Sequence, residues 1–115
     1  MKEFMMVFIG EDYEDLGLSP EQLQERMGKW FVWGEKMKNQ GIIKSGEALH
    51  AAAKTISGPD RIVTDGPYTE SKEMIGGYYV VSAESFDEVV KIAQDFPDYD
   101  LGSSVEIREV MKFEE

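Results

Sequence analysis

The feature that most constrains this chain is its first strand-like segment, 3–9, which is apolar on both pleat faces. Successive side chains of a strand point to opposite faces. One face of this segment carries Met5, Val7 and Ile9, and the other face carries Phe4, Met6 and Phe8. A strand of this kind belongs in the middle of a sheet and is covered on both sides.

Two later segments carry helix signals. Ser19-Pro20-Glu21-Gln22 combines an N-cap hydroxyl, a proline at the first helical position and a capping-box glutamine, and Gly41 suits a left-handed stop. Ser85 and Glu88 form a second capping box, and Pro97 ends the helix that follows. Further strands are predicted over 42–50, 61–64, 74–82 and 105–112. The order β-α-β-β-β-α-β is an α+β, ferredoxin-like arrangement with an additional short strand.

Both helices must pack on one face of this sheet, because β-α-β crossovers are right-handed. A broad apolar stripe on the first helix is predicted to be core, with Trp30 and Trp33 more typical of core than of a pocket lining. The stripe consists of Leu23, Met27, Trp30, Phe31, Trp33, Gly34 and Met37. Two helices leave the other sheet face open, so we expect a second copy to cover it, sheet against sheet, in a homodimer. At 115 residues, the chain is predicted to be a single domain, 1–115.

Charge and composition exclude several classes of function. With 23 acidic against 12 basic residues and a net charge of −11, the chain lacks the basic patch that nucleic acid or an anionic membrane surface requires. The absence of cysteine excludes disulfides, thiolate metal sites and a cysteine nucleophile. One histidine and scattered carboxylates give no metal-ligand spacing, and no phosphate-binding or dinucleotide motif is present, so we expect no metal and no cofactor. Without an apolar run of about 20 residues, a soluble cytoplasmic protein is expected.

A set of motifs resembles one known family. They are Val63-Thr64-Asp65-Gly66-Pro67-Tyr68, then Glu70, Lys72-Glu73 and Gly76-Gly77-Tyr78-Tyr79, and finally Val105-Glu106-Ile107-Arg108. Together they resemble the YCII-related proteins, and within them the group named for an Asp-Gly-Pro-Phe (DGPF) motif. This chain has Tyr68 where that motif has Phe, and Glu109 where the family often has Pro. The resemblance implies a dimeric α/β barrel with a pocket, and it suggests a His and Asp pair in an acid/base role.

Asp65 and His50 are the candidate catalytic residues on this basis. General acid/base catalysis needs a titratable group within hydrogen-bond reach of the reacting atom, and histidine is the side chain that changes charge near neutral pH. Each residue also has a structural interpretation. Asp65 before Gly-Pro can form an Asx-turn, and a lone histidine is usually a solvated residue at a strand end.

The candidate substrate-binding residues are Glu73, Arg108, Tyr78 and Lys72. Arg108 either pairs with Glu106 or Glu73, or offers its planar fork to a carboxylate ligand. The double glycine before Tyr78 indicates a bulge or a close approach by another group, which is a ligand or a packed backbone.

Two functions follow from these residues. The first is a YCII-related protein that binds a small organic molecule, as a cofactor-free acid/base enzyme, isomerase- or lyase-like, acting on a small organic acid. The alternative is a non-catalytic binding or interaction module in which the motif residues stabilise the turn and the dimer. A shared fold hosts many chemistries, so the first of these rests on analogy.

Overall fold

The computed structural model describes residues 1–66 and 73–113. Within these ranges the chain forms six strands, two α-helices and two short 3-10 helices, the latter at Tyr13–Leu16 and Tyr99–Leu101. The strands and α-helices are β1 (Lys2–Gly10), α1 (Pro20–Asn39), β2 (Ile43–Ala48), β3 (Lys54–Ser57), β4 (Ile62–Asp65), β5 (Met74–Ala83), α2 (Phe86–Ala93) and β6 (Ser104–Glu109). No helix in the described part of the chain is long and apolar enough to cross a lipid bilayer.

The main sheet has the order β2-β5-β1-β6, and its neighbouring strands are antiparallel. This order confirms the predicted ferredoxin-like α+β fold, with β1 near the centre as its apolar pattern requires. Strands β3 and β4 form a separate hairpin. The prediction contained β4 and the turn after Ser57 but not β3, because a strand of four residues with two polar positions gives no clear alternation.

The predicted helix ends are confirmed at α1. Ser19 Oγ accepts from the Gln22 N–H at 3.1 Å, Gln22 Oε1 accepts from the Ser19 N–H at 2.9 Å, and Gly41 is left-handed at φ 70°. At α2, Ser85 Oγ accepts from the Glu88 N–H, but the Glu88 carboxylate accepts from the N–H of Glu84 instead of closing the box on Ser85. Local capping chemistry therefore sets where both helices begin.

The hydrophobic core lies between the sheet and the two helices, which pack on one face as predicted. Its members are buried side chains from β1, α1, β5, α2 and the turn after α2: Phe4, Met6, Phe8, Trp33, Met37, Val81, Ala83, Val89, Ala93 and Phe96. On the opposite face of β1, Met5, Val7 and Ile9 remain only half-buried. We call this second surface, with Tyr78 and Val80 of β5, the open sheet face.

The predicted core stripe of α1 is only partly confirmed. Trp33 and Met37 are buried, but Leu23, Met27 and Phe31 are exposed, and 69% of Phe31 is accessible to solvent. Met27 and Phe31 line a cleft between α1 and the sheet instead of entering the core. On α2, similarly, Val90 was predicted to be buried but is 43% exposed.

The double glycine in β5 forms a bulge and also permits the close approach of a neighbouring backbone, which are the two structural explanations that the sequence suggested. The register with β1 shifts beside Gly76, since Phe8 pairs with Gly77 and Ile9 pairs with Ile75. A Cβ on Gly77 would lie 2.7 Å from the carbonyl oxygen of Glu47 in β2. Gly76 is therefore the bulge residue, and Gly77 permits close packing of neighbouring strands.

Candidate functional site

The two predicted catalytic residues lie on and beside the β3–β4 hairpin. Asp65 is the last residue of β4, its side chain is 85% exposed, and its carboxylate forms an ion pair with Lys54 on the paired strand. His50 is exposed in the connection between β2 and β3. The Asx-turn considered for Asp65 involves residues after Gly66, which lie outside the described residues. Neither residue is buried or contributes to the cleft described below, so their catalytic role stays a prediction.

Two of the predicted substrate-binding residues lie on the open sheet face. Arg108 pairs across the sheet with Met5, and Tyr78 pairs with Val7. Arg108 is exposed, and within the described residues it forms no ion pair with Glu106. Glu73 is exposed immediately before β5. Lys72, like Tyr68 and Glu70 of the motif, lies outside the described residues. The fold thus groups Tyr78 with Arg108 and leaves Asp65 and His50 on a different element.

A cleft opens between α1 and the β2 edge of the sheet, on the helix side. It has a volume of about 570 Å³. Its lining comes from α1, β2 and β5: Met27, Trp30, Phe31, Gly34, Glu35, Lys38, Ile43, Lys44 and Tyr79. The volume lies within the range of roughly 300–1,000 Å³ that is typical of small-molecule sites.

The floor of the cleft is aromatic. The Trp30 ring contacts Phe8 at a centroid distance of 5.0 Å, Trp33 at 5.6 Å and Tyr79 at 6.2 Å, each in a steep edge-to-face geometry. Gly46 makes room for the Tyr79 ring, because a Cβ there would lie 2.3 Å from Tyr79 Cδ1. The ring positions are therefore determined by packing and present a rigid apolar surface.

Tyr79 supplies the polar group at this floor. Burial raises the pKa of its phenol, so the hydroxyl is protonated at neutral pH. Among the described residues, no group forms a hydrogen bond with Tyr79 Oη. The hydroxyl is thus available as a donor to whatever occupies the cleft.

The rim of the cleft is charged. Lys38 and Lys44 contribute two cations and Glu35 one anion, and in the described residues none of the three forms an ion pair. The whole chain carries a net charge of −11, so an excess of lysine here is locally unusual. Such a rim favours an anionic ligand.

A buried carboxylate lies behind Trp30. Asp98 is 4% exposed, and its Oδ2 accepts from the Tyr13 hydroxyl and from Trp30 Nε1 at 3.1 Å. Its Oδ1 accepts no hydrogen bond in the described structure but lies 3.6 Å from Arg26 Nη1, an ion pair without a hydrogen bond. Arg26 in turn holds Asp100 in a bidentate pair.

The electrostatics of this group follow from burial and pairing. Burial, the hydrogen bond to Asp98 and the charge of Asp98 together raise the pKa of the Tyr13 phenol well above its usual range. The hydrogen bonds between Arg26 and Asp100 raise the pKa of the guanidinium and lower the pKa of the carboxyl. The raised pKa values keep Tyr13 and Arg26 protonated across the physiological range, so these two groups hold their hydrogen bonds and ion pairs around Trp30 without exchanging protons.

The sequence interpretation missed both Asp98 and the cleft. Tyr13 lies within an acidic stretch that is typical of a solvated loop, and Asp98 follows a helix-ending proline without any spacing motif. One usable signal was Trp30 itself, since a buried indole N–H needs an acceptor. Within the described residues, no group of three acidic or histidine side chains is placed to hold a metal ion.

The sequence matches the YCII-related domain over residues 4–114. This chain belongs to the YCII-related family. An uncharacterized protein of Rhizobium meliloti (strain 1021) is 40% identical to it over 45 residues. That match spans 39% of this YCII-related chain and 36% of the relative, so it covers only about a third of either protein.

A solved structure is also similar in part. It is a 5-chloro-2-hydroxyhydroquinone dehydrochlorinase from Burkholderia phenoliruptrix AC1100, in complex with 2,5-dihydroxybenzoquinone. The likeness covers 94% of this YCII-related chain and 93% of the dehydrochlorinase, with 17% identity and a TM-score of 0.48. That ligand and that reaction belong to the dehydrochlorinase.

Proposed function

We propose that this YCII-related chain binds a small organic acid with an aromatic or other flat apolar body in the α1 cleft. The observation that carries the proposal is the combination of an aromatic floor, the Tyr79 phenol and two lysines at the rim, none of which forms a hydrogen bond or ion pair through its polar group with another described residue. An apolar pocket with a few convergent polar groups is the usual form of a ligand site. The lysines would attract the acid group while the rings of Trp30 and Tyr79 contact its body.

The family subgroup, the assembly and the location are part of the same proposal. The sequence Asp65-Gly66-Pro67-Tyr68 supports membership of the DGPF-motif group. The open sheet face supports a homodimer, because half-buried apolar side chains on a sheet face are normally covered by another layer. We propose a soluble protein of the cytoplasm, and the high net charge of −11 supports the solubility.

The binding proposal is tested with benzoate and its uncharged analogue benzyl alcohol, by calorimetry and by amide shifts in NMR spectra. We expect benzoate to bind more tightly and to shift amides of α1, β2 and β5. Tyr79→Phe should weaken benzoate about fivefold to tenfold, the cost of one hydrogen bond. Lys38→Gln should weaken benzoate but not benzyl alcohol, and Lys29→Gln, an exposed lysine elsewhere on α1, is the matched control. Benzoate binding that is insensitive to both cleft substitutions would overturn the proposal.

A cofactor-free acid/base reaction, isomerase- or lyase-like, is the second proposal. It is supported by the presence in one cleft of a protonated phenol, Tyr79, and a carboxylate, Glu35. One group can give a proton to an oxygen of the bound acid while the other removes a proton from carbon. His50 and Asp65 lie outside the cleft, so we propose Tyr79 and Glu35 as an acid/base pair of the cleft beside the predicted pair of His50 and Asp65.

Deuterium incorporation into carbon-bound positions of a panel of small organic acids, followed by NMR in D₂O, tests this reaction. Loss of exchange in Glu35→Gln, with exchange retained in His50→Gln and Asp65→Asn, would support the cleft pair. Exchange that is retained in Glu35→Gln but lost in His50→Gln or Asp65→Asn would assign the acid/base role to His50 and Asp65. Binding without exchange in any member of the panel would favour the non-catalytic module.

A further inference from the structure

The β3–β4 hairpin is an isolated element of this fold. We call residues 54–65 the arm. Among the described residues, its two strands pair only with each other. Ile56 and Val63 are cross-strand partners, and they are 67% and 58% exposed. A two-stranded hairpin with an unpacked apolar pair is at best marginally stable in water, so the arm needs a surface to pack against.

The dimensions of the molecule indicate that the body formed by the described residues does not provide this surface. The radius of gyration is 16.0 Å, whereas a compact domain of this length has a value of about 13 Å. The extents are 49 × 43 × 19 Å. The thinnest dimension corresponds to about two layers of secondary structure, since packed layers lie roughly 10 Å apart. The arm therefore extends sideways from the body and does not fold over the open sheet face.

The exposed area matches what a second copy would bury. The accessible surface is 8532 Å², and a compact monomer of this mass exposes roughly 6,400 Å². The excess is therefore about 2,100 Å². Standard interfaces bury about 800 Å² on each partner, and obligate homodimers bury about 1,000–2,500 Å² on each. An excess of this size lies in the range that each partner of an obligate homodimer buries, and the exposed side chains Ile56, Ile62 and Val63 of the arm contribute to it.

Charge also permits the approach of a second copy. The arm contains two basic residues, Lys54 and Arg61, and two acidic residues, Asp60 and Asp65. It is neutral, so the net charge of −11 resides in the rest of the chain. An element without net charge can enter the field of an equally acidic partner without the repulsion that the two bodies experience.

We infer that the arm of each copy packs against the other copy, so that the two arms hold the homodimer together. This inference rests on the homodimer proposed above and adds the surface that stabilises it. The Ile56–Val63 pair supplies the apolar contact, and the cross-strand ion pair of Lys54 with Asp65 lies beside it.

The test compares wild type, Ile56→Asp and Val32→Asp by sedimentation equilibrium. Val32 lies on α1 outside the arm and is 67% exposed, the same fraction as Ile56, which makes Val32→Asp a matched control. We expect a wild-type dimer, a dimer dissociation constant raised about tenfold or more by Ile56→Asp, and no change with Val32→Asp. A wild-type monomer would overturn both the homodimer and the arm contact. A wild-type dimer that Ile56→Asp leaves unchanged would overturn the arm contact alone.

Hydrogen exchange provides a second readout that needs no substitution. Amide groups of β3 and β4 in a free hairpin exchange without protection, because such a hairpin opens readily. We expect protection of these amides at concentrations where the dimer forms, and its loss on dilution below the dissociation constant. Unprotected arm amides in the dimer would contradict the inference.

Discussion

Replacement of Asp98 should reveal how strongly the buried network behind the cleft stabilises the fold. The carboxylate joins three parts of the chain: the Tyr13 hydroxyl, the Trp30 indole and the Arg26 guanidinium. Only 6% of its side chain and 13% of that of Arg26 are exposed, so solvent cannot replace it readily. The substitution to test is Asp98→Ala.

The expected cost follows from what each partner retains. In Asp98→Ala the Tyr13 hydroxyl loses its acceptor, and a buried unsatisfied group costs about 1–3 kcal/mol. Trp30 keeps a bond to Tyr13 Oη at 3.0 Å, and Arg26 keeps its pair with Asp100. Loss of one partner of a buried ion pair costs up to about 3–5 kcal/mol, and here the second carboxylate compensates in part. We therefore expect a loss of about 3 kcal/mol in the free energy of unfolding.

Urea denaturation measures this loss at a fixed protomer concentration, since the stability of the proposed homodimer would depend on concentration. Asp95→Ala is the control, because it removes an ion pair with Lys36 in which both side chains are more than half exposed. Such pairs contribute about 0–1 kcal/mol. If Asp98→Ala loses no more stability than Asp95→Ala at an equal m-value, then the network does not stabilise the fold and does not orient Trp30.

Three further predictions concern single positions. Gly77→Ala should lower the melting temperature, at a cost of about 2 kcal/mol from the clash with β2, whereas Gly76→Ala, whose Cβ would meet no atom within 4 Å, should change it little. Asp65→Ala should change the free energy of unfolding by less than about 1 kcal/mol, because its pair with Lys54 is exposed, and a larger loss in urea titration would show the residue packed in the dimer. The pKa of Tyr13 is raised above the unfolded value of about 10, so the stabilisation is complete below that pH and is lost as pH rises toward the folded pKa. As the pH rises above about 10, the free energy of unfolding should therefore fall less for Tyr13→Phe than for wild type. Urea titrations at several pH values measure both, and an equal fall in the two proteins would refute this assignment.

Much of the fold was predictable because its signals are local. The capping box at Ser19, the stop at Gly41 and the strand over 3–9 each depend on a few neighbouring residues, and all three elements are confirmed. The right-handed crossover rule then placed both helices on one face. The errors occur where periodicity alone was used: Phe31 has the spacing of a core residue, but helical period does not distinguish the core from the wall of a cleft.

The candidate site was not predictable in the same way, because its groups are brought together only by tertiary structure. Trp30 and the carboxylate that accepts its indole N–H are 68 residues apart, and the Tyr13 hydroxyl is 85 residues from the same carboxylate. No local pattern specifies such a pairing. The same limit applies to the arm, whose sequence indicates a turn but not that its two strands pair only with each other among the described residues. Residues that a motif makes conspicuous, such as Asp65, are thus exposed in the isolated chain, while the cleft is built from residues that resemble ordinary core. If the second copy covers the arm, Asp65 becomes part of the interface, and an acid/base role of Asp65 then depends on formation of the dimer.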